Sequence, residues 1–199
     1  AAEIPDGATL QIGVGGIPNA VLDALHDHKH LGLHTEAMTD GVVPLIQKGI
    51  IDNSLKKLYP GQSLACLCLG SQRLYDYLDG NRDVVIRDVA WTNDPQNIRQ
   101  NPSVMAVNSA IEVDLTGQIC ADSIGERIFS GVGGQHDFMY GGALSEGGKC
   151  FIALPSITNK SLETVARHLG MEVERRPVPV EELAEFEEVG ECGTAVVIT

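Results

Sequence analysis

Thr9-Leu-Gln-Ile12, Gly13-Val-Gly-Gly-Ile-Pro-Asn-Ala-Val21 and, a short way on, Leu31-Gly-Leu-His-Thr-Glu36 decide the fold. An apolar strand runs into a glycine turn. A helix then starts at Ile17-Pro-Asn, with proline where a first helical turn tolerates it. Apolar residues at Val21, Leu22 and Leu25 give this helix one buried face over Pro18 to His26, and Leu31 to Leu33 forms a second strand ending in His34-Thr-Glu36. If the two strands are parallel neighbours, the glycine turn and Glu36 stand together at their carboxyl ends, where open α/β sheets take ligands. The amides of the turn and the first helical turn are then expected to face an anion.

Outward from this stretch, short apolar runs alternate with helical ones. Strands are predicted at Leu10 to Ile12, Leu31 to Leu33, Leu64 to Leu69, Val84 to Ile86, Met105 to Asp114, Ile119 to Ala121 and Cys150 to Leu154. Helices are predicted at Pro18 to His26, Val42 to Gln47, Ser71 to Asp79, Asp94 to Gln100 and Gly134 to Tyr140, with Asp94-Pro-Gln a good start of N-cap plus proline. This alternation predicts an α/β fold with an open, mostly parallel sheet flanked by helices. Past Pro155 the pattern changes to a helix from Ser156 through Leu169 closed by Gly170, a strand Met171 to Arg175, an acidic helix Val180 to Glu188 and a final strand in Cys192 to Ile198. The division expected is a domain of residues 1–154 and a small α/β appendage of residues 155–199.

The 199 residues are 43% hydrophobic and 21% charged, an ordinary globular balance with room for one good core. A formal charge of -13 and the lack of any basic run argue against nucleic-acid or anionic-membrane partners. A polyanionic ligand would have to be held by oriented amides and a few local cations. No signal peptide and no apolar run of roughly 18 residues is present, so a cytoplasmic protein is expected. Five cysteines (Cys66, Cys68, Cys120, Cys150 and Cys192) read as reduced packing residues, and Cys66-Leu-Cys68 has neither zinc nor redox spacing. His26, His28, His30 and His34 lack the H-E-x-x-H pattern and any cysteine partner, so no metal is expected. His34 stands apart from the other three because alternation puts it on the strand face that carries Glu36.

Three motifs, G-x-G-x-I-P-x-A-V at Gly13 to Val21 with H-T-E at 34–36 and Asp40-Gly-Val-Val43, Asn108-Ser-Ala-Ile-Glu-Val-Asp-Leu-Thr-Gly-Gln118, and Ser130-Gly-Val-Gly-Gly-Gln-His-Asp-Phe138, together resemble the second domain of the class I coenzyme A transferases. The branch they are most similar to is that of acetyl-CoA hydrolases and 4-hydroxybutyrate CoA-transferases. The resemblance implies a CoA-transferase/NagB-like sheet. It also implies that Glu36 is the carboxylate that takes coenzyme A as a glutamyl-CoA thioester, and that Gly13, Val14, Gly15, Gly16 and Ile17 supply amides and close approach for the thioester. By the same resemblance Gly134 and Ile111 line the coenzyme A groove. Glu112 reads as a structural carboxylate and Ile111 also as core. His136 and Asp137 stand next to the loop, and Lys149 either reaches a coenzyme A phosphate or closes a turn.

The tail resembles something else. S-I-T-x-x-S-L from Ser156, L-G-x-x-V-E-x-R-P from Leu169, E-E-L-A-E-F from Glu181 and C-G-T-A-x-V-I-T from Cys192 are similar to the carboxyl part of branched-chain aminotransferases. There Ile157, Thr158 and Thr194 would hold a pyridoxal phosphate group. The lysine and carboxylate that such a cofactor needs would lie upstream of this sequence, so pyridoxal phosphate is not expected.

The function expected is transfer of coenzyme A between an acyl-CoA and a short-chain carboxylate such as acetate, butyrate or 4-hydroxybutyrate. The alternatives are acetyl-CoA hydrolysis through the same intermediate and a coenzyme A-binding fragment without turnover. Because the resemblance implies two tandem domains, a first domain or a second copy is the expected partner.

Overall fold

The computed structural model describes residues 1–113, 117–154 and 166–173 and the backbone of 195–198. Its elements run in the order β1 (Thr9–Ile12), α1 (Gly16–Asp23), β2 (Gly32–Leu33), β3 (Ala37–Met38), a 3-10 turn (Asp40–Val42), α2 (Val43–Gln47), β4 (Ser63–Ala65), β5 (Leu67–Cys68), α3 (Gln72–Leu78), β6 (Val84–Ile86), α4 (Val89–Thr92), α5 (Pro95–Ile98), β7 (Val104–Ser109), β8 (Glu112–Val113), β9 (Ile119–Cys120), β10 (Ser123–Ile124), β11 (Arg127–Ile128), α6 (Gln135–Ala143), β12 (Lys149–Ala153) and β13 (Ala195–Ile198).

The main sheet has the order β13-β12-β7-β1-β2. Its β12, β7, β1 and β2 are parallel and β13 is antiparallel to β12. A parallel bridge from His34 to Leu64 carries the sheet on to β4, which pairs with β6. The chain therefore builds outward from β1 through β2, β4 and β6, then returns to lay β7 and β12 on the other side of β1. The order reverses between β1 and β7, which is the switch point at which such sheets bind ligands.

A strand covered on both faces needs apolar side chains in both directions, and β7 has them. Met105 and Val107 join the core under α1 and α2 with Leu10, Ile12, Leu22, Leu33 and Leu45. Val104 and Ala106 join a smaller core with Ile98, Phe138 and Cys150 under α5 and α6. Helix α6 can lie close because Gly141 and Gly142 leave room for Ile98 and Cys150.

The open parallel α/β sheet is as expected, with differences in detail. The expected strand Leu64 to Leu69 is two strands, because Cys66 bends the chain: the N–H groups of Cys66 and Leu67 both donate to Glu36 O, at 3.0 Å each. Helix α4 and the β10–β11 hairpin were not expected. Gly170, at φ 77, closes the helix before it as expected. Of the strand expected at Met171 to Arg175, residues 171–173 form none among the described residues, and 174–175 lie outside them. Asp114 and the helices and turn assigned within 155–165 and 174–194 lie outside the described residues. The four free cysteines among the described residues are half-buried (Cys66, Cys68, Cys120) or buried (Cys150), in line with a packing role.

Candidate active site

The site begins at the carboxyl ends of β1 and β2. Thr35, fully buried, accepts the Ile12 N–H (3.3 Å), and its hydroxyl hydrogen is within reach of Ile12 O (3.1 Å) and Ala37 O (3.3 Å). This ties the end of β1 to the bend between β2 and β3. Glu36 sits on that bend, its carbonyl occupied by the amides of Cys66 and Leu67. Its side chain crosses to α6, where the Gly134 N–H donates to Glu36 Oε2 at 2.6 Å. Such a short bond is expected between an amide and a carboxylate.

Gly134 is glycine for a steric reason. A Cβ there would collide with Glu36 Oε2 and with the Asn93 side-chain amide. Asn93 is buried, and its carbonyl oxygen Oδ1 has no hydrogen-bond partner among the described residues.

A cleft of about 570 Å³ opens beside Glu36 at the carboxyl ends of β1 and β7, the size of a small-molecule site. Gly13, Val14, Glu36, Ile111 and Gly134 all stand on its wall, together with Leu67, Leu69 and the loop Phe129 to Gly133. Beneath it, Gln11 and Asn108 form a reciprocal amide pair: Gln11 Nε2 donates to Asn108 Oδ1 (3.1 Å) and Asn108 Nδ2 to Gln11 Oε1 (2.9 Å). Two amides can be buried at a sheet centre only because each satisfies the other. No basic side chain stands on the described wall. Burial, and next the Glu36 carboxylate, push the nearby Cys66 thiol up.

Within the glycine turn, the Gly13 amide differs from its expected role. The Gly13 N–H donates to Val107 O (2.8 Å), so this amide belongs to the sheet and is not offered to an anion. Gly13 is needed because a Cβ would press on Asn108 Oδ1 and Val107 O. Gly15 has φ 134, which only glycine takes easily. Gly15, Gly16 and Ile17 lead into α1 and are not on the cleft wall.

The remaining candidates separate cleanly. Lys149 lies at the amino end of β12, opposite the cleft, paired with Glu3 Oε2 at 2.7 Å, which draws the Glu3 carboxyl down. Glu112 is exposed on β8, and His136 is exposed and stacked on Tyr140. Asp40 holds Ser71 through its N–H and hydroxyl (2.7 Å each), the residue before α3, and these bonds lower its carboxyl. His26 is exposed, His28 meets Ile4 O and His30 pairs with Asp52. No cluster of metal-ligating side chains occurs among the described residues. Ile157, Thr158 and Thr194 lie outside them. Sequence reasoning missed Leu67, Leu69, Phe129, Asn93 and the Gln11–Asn108 pair. Polar residues set in apolar strands were the available signal for the pair.

Strand order, cleft position and a held carboxylate define the class of molecule: an open α/β domain with its ligand cleft at the switch point. The family model of the acetyl-CoA hydrolase/transferase C-terminal domain matches residues 70–176. The chain belongs to the acetyl-CoA hydrolase/transferase family, of which it carries the C-terminal domain. It is 51% identical over 168 residues to the succinyl-CoA:acetate/propanoyl-CoA:succinate CoA transferase of Fasciola hepatica, covering 83% of this chain and 35% of that protein. It is 46% identical over 160 residues to the 4-hydroxybutyrate coenzyme A transferase of Clostridium kluyveri, covering 80% and 37%. The crystal structure of RipA from Yersinia pestis superposes with a TM-score of 0.74 at 40% identity, covering 78% and 35%. The chain thus spans about a third of the length of these relatives.

Proposed function

We propose that this chain supplies the glutamate-bearing part of a coenzyme A transferase site that moves coenzyme A between an acyl-CoA and a short-chain carboxylate of the acetate, butyrate or 4-hydroxybutyrate kind. The observation that carries the reading is the Glu36 carboxylate, held at 2.6 Å by the Gly134 N–H on the wall of the switch-point cleft. A Glu36 oxygen attacks the thioester carbonyl, and the coenzyme A thiolate leaves, giving a mixed anhydride. The thiolate then attacks the Glu36 carbonyl and expels the first carboxylate, giving a glutamyl-CoA thioester. A second carboxylate reverses these steps. The Gly134 amide is the donor at hand for the oxygen that gains charge, and the apolar Val14, Ile111 and Phe129 flank the ligand's arm.

Attack of water on the same thioester would make the protein a hydrolase, the other activity in the family's description. The part absent relative to the longer relatives, or a second copy, is proposed to complete the carboxylate pocket. Cytoplasmic location belongs to the same reading, supported by the four free cysteines among the described residues. Among the described residues no helix is long and apolar enough to cross a membrane. The partition at residue 154 is likewise proposed. The last strand nonetheless pairs with β12, so the appendage would share the domain's sheet.

Incubation with butyryl-CoA, borohydride reduction and peptide mass spectrometry test the proposal. Reduction confined to Glu36 is expected. Binding of butyryl-CoA without reduction, or reduction elsewhere, would leave only a coenzyme A-binding fragment. Exchange of labelled acetate without net thioester loss separates transfer from hydrolysis.

A further inference from the structure

His34 lies two residues before Glu36 and is 2% exposed, with both ring nitrogens occupied. Asn101 Oδ1 accepts the N–H groups of Lys57 (3.1 Å) and Leu58 (3.0 Å), which fixes its amide and leaves Nδ2 to donate to His34 Nδ1 at 3.1 Å. His34 Nε2 must therefore carry the proton, and it donates to Thr92 O at 2.8 Å. The ring also stacks on Trp91 (6.4 Å, 15°) and meets the Phe138 ring edge-on (5.7 Å, 87°).

These partners belong to the elements that surround Glu36. Thr92 ends α4 and is followed by Asn93, whose amide lies against Gly134. Phe138 is in the first turn of α6, and its N–H donates to Gly134 O at 3.1 Å. One neutral imidazole thus grips the end of α4 and the first turn of α6, from the strand that presents the carboxylate those elements receive. We propose that His34 is a positioning residue: it sets the end of α4 and the start of α6 so that the Gly134 N–H meets Glu36 Oε2. Its consequence for catalysis rests on the reading of Glu36 as the reacting carboxylate. The contact itself does not, and can be measured separately.

The test is the Gly134 amide resonance of the nitrogen-15-labelled chain, identified by its upfield move in Glu36→Gln. His34→Phe keeps a ring in the core but removes both hydrogen bonds. It is expected to move Gly134 upfield and to speed its hydrogen exchange about tenfold relative to Leu45→Ala, a core truncation on the other face of the sheet. His34→Gln, which can again donate to Thr92 O, is expected to restore most of the shift. If Gly134 in His34→Phe behaves as in Leu45→Ala, or if His34→Gln is no better than His34→Phe, His34 is only a core residue and the proposal falls. If these shifts occur but butyryl-CoA never marks Glu36, the positioning stands and the proposed activity fails.

Discussion

The two walls of the cleft are built on opposite principles. The wall of Gly13, Glu36 and Asn108 grows from strand ends, with Asn108 paired to Gln11, the Gly13 N–H to Val107 O and Glu36 Oε2 to the Gly134 N–H. The facing wall is the loop after a hairpin of two-residue strands, with Phe129 68% and Val132 79% exposed. Groups that must be held to a fraction of an ångström stand on the rigid wall, while apolar side chains with room to move stand on the open one. The difference predicts that shape-keeping changes on the first wall alter chemistry, that changes disturbing its packing alter stability as well, and that changes on the second alter ligand affinity alone.

The largest effect is expected for Glu36→Gln, which removes the nucleophile while keeping its shape. Marking by butyryl-CoA should drop at least about a thousandfold, with the melting temperature nearly unchanged. A comparable residual rate would move the chemistry off this wall.

The base of the same wall should respond to pH. Burial pushes His34 down to about 4, the Thr92 bond works against that and the nearby Lys56 adds to it. The unfolded ring takes its proton near pH 6.5 and the folded one only near 4. The stabilisation is therefore complete above about 6.5 and is lost as pH falls between these values, in all on the order of 3 kcal/mol. Urea midpoints across that range should fall steeply for the native chain and less so for His34→Phe.

Gly134→Ala and Gly131→Ala sharpen the comparison inside one glycine run. A Cβ at Gly134 meets Glu36 and Asn93, whereas at Gly131 it meets nothing within 4 Å. The first should cost about 2 kcal/mol in urea unfolding and about a hundredfold in marking rate, the second close to nothing. The smallest effect is expected for Val132→Asp: stability within about 0.5 kcal/mol, with weaker coenzyme A binding by calorimetry. A large loss of stability there would mean that the open wall is part of the core.

Local order in the sequence made the first half of this arrangement legible. Thr9 to Ile12, the glycine run with Pro18, and the His34-Thr-Glu36 strand end have near-neighbour signatures, and the continuous apolar run of β7 is that of a strand buried on both faces. What escaped depends on residues far apart. The bend at Cys66 is imposed by a carbonyl 30 residues away, and the Glu36 contact with Gly134 joins positions 98 apart. Elements as short as α4 and β10 leave too few residues for any period to register. The glycine turn was located correctly, but only pairing with β7 reveals that its first amide is already taken.

The Gln11–Asn108 pair has one more consequence, for assembly of the sheet. Each amide offers one donor and one acceptor to the other, across a separation of 97 residues. Sliding β7 by one residue along β1 would break both bonds at once and face Asn108 towards hydrocarbon. The pair therefore acts as an indexing tooth: the late half of the chain can seat on the early half at one offset only, and the cleft exists only when that offset is found.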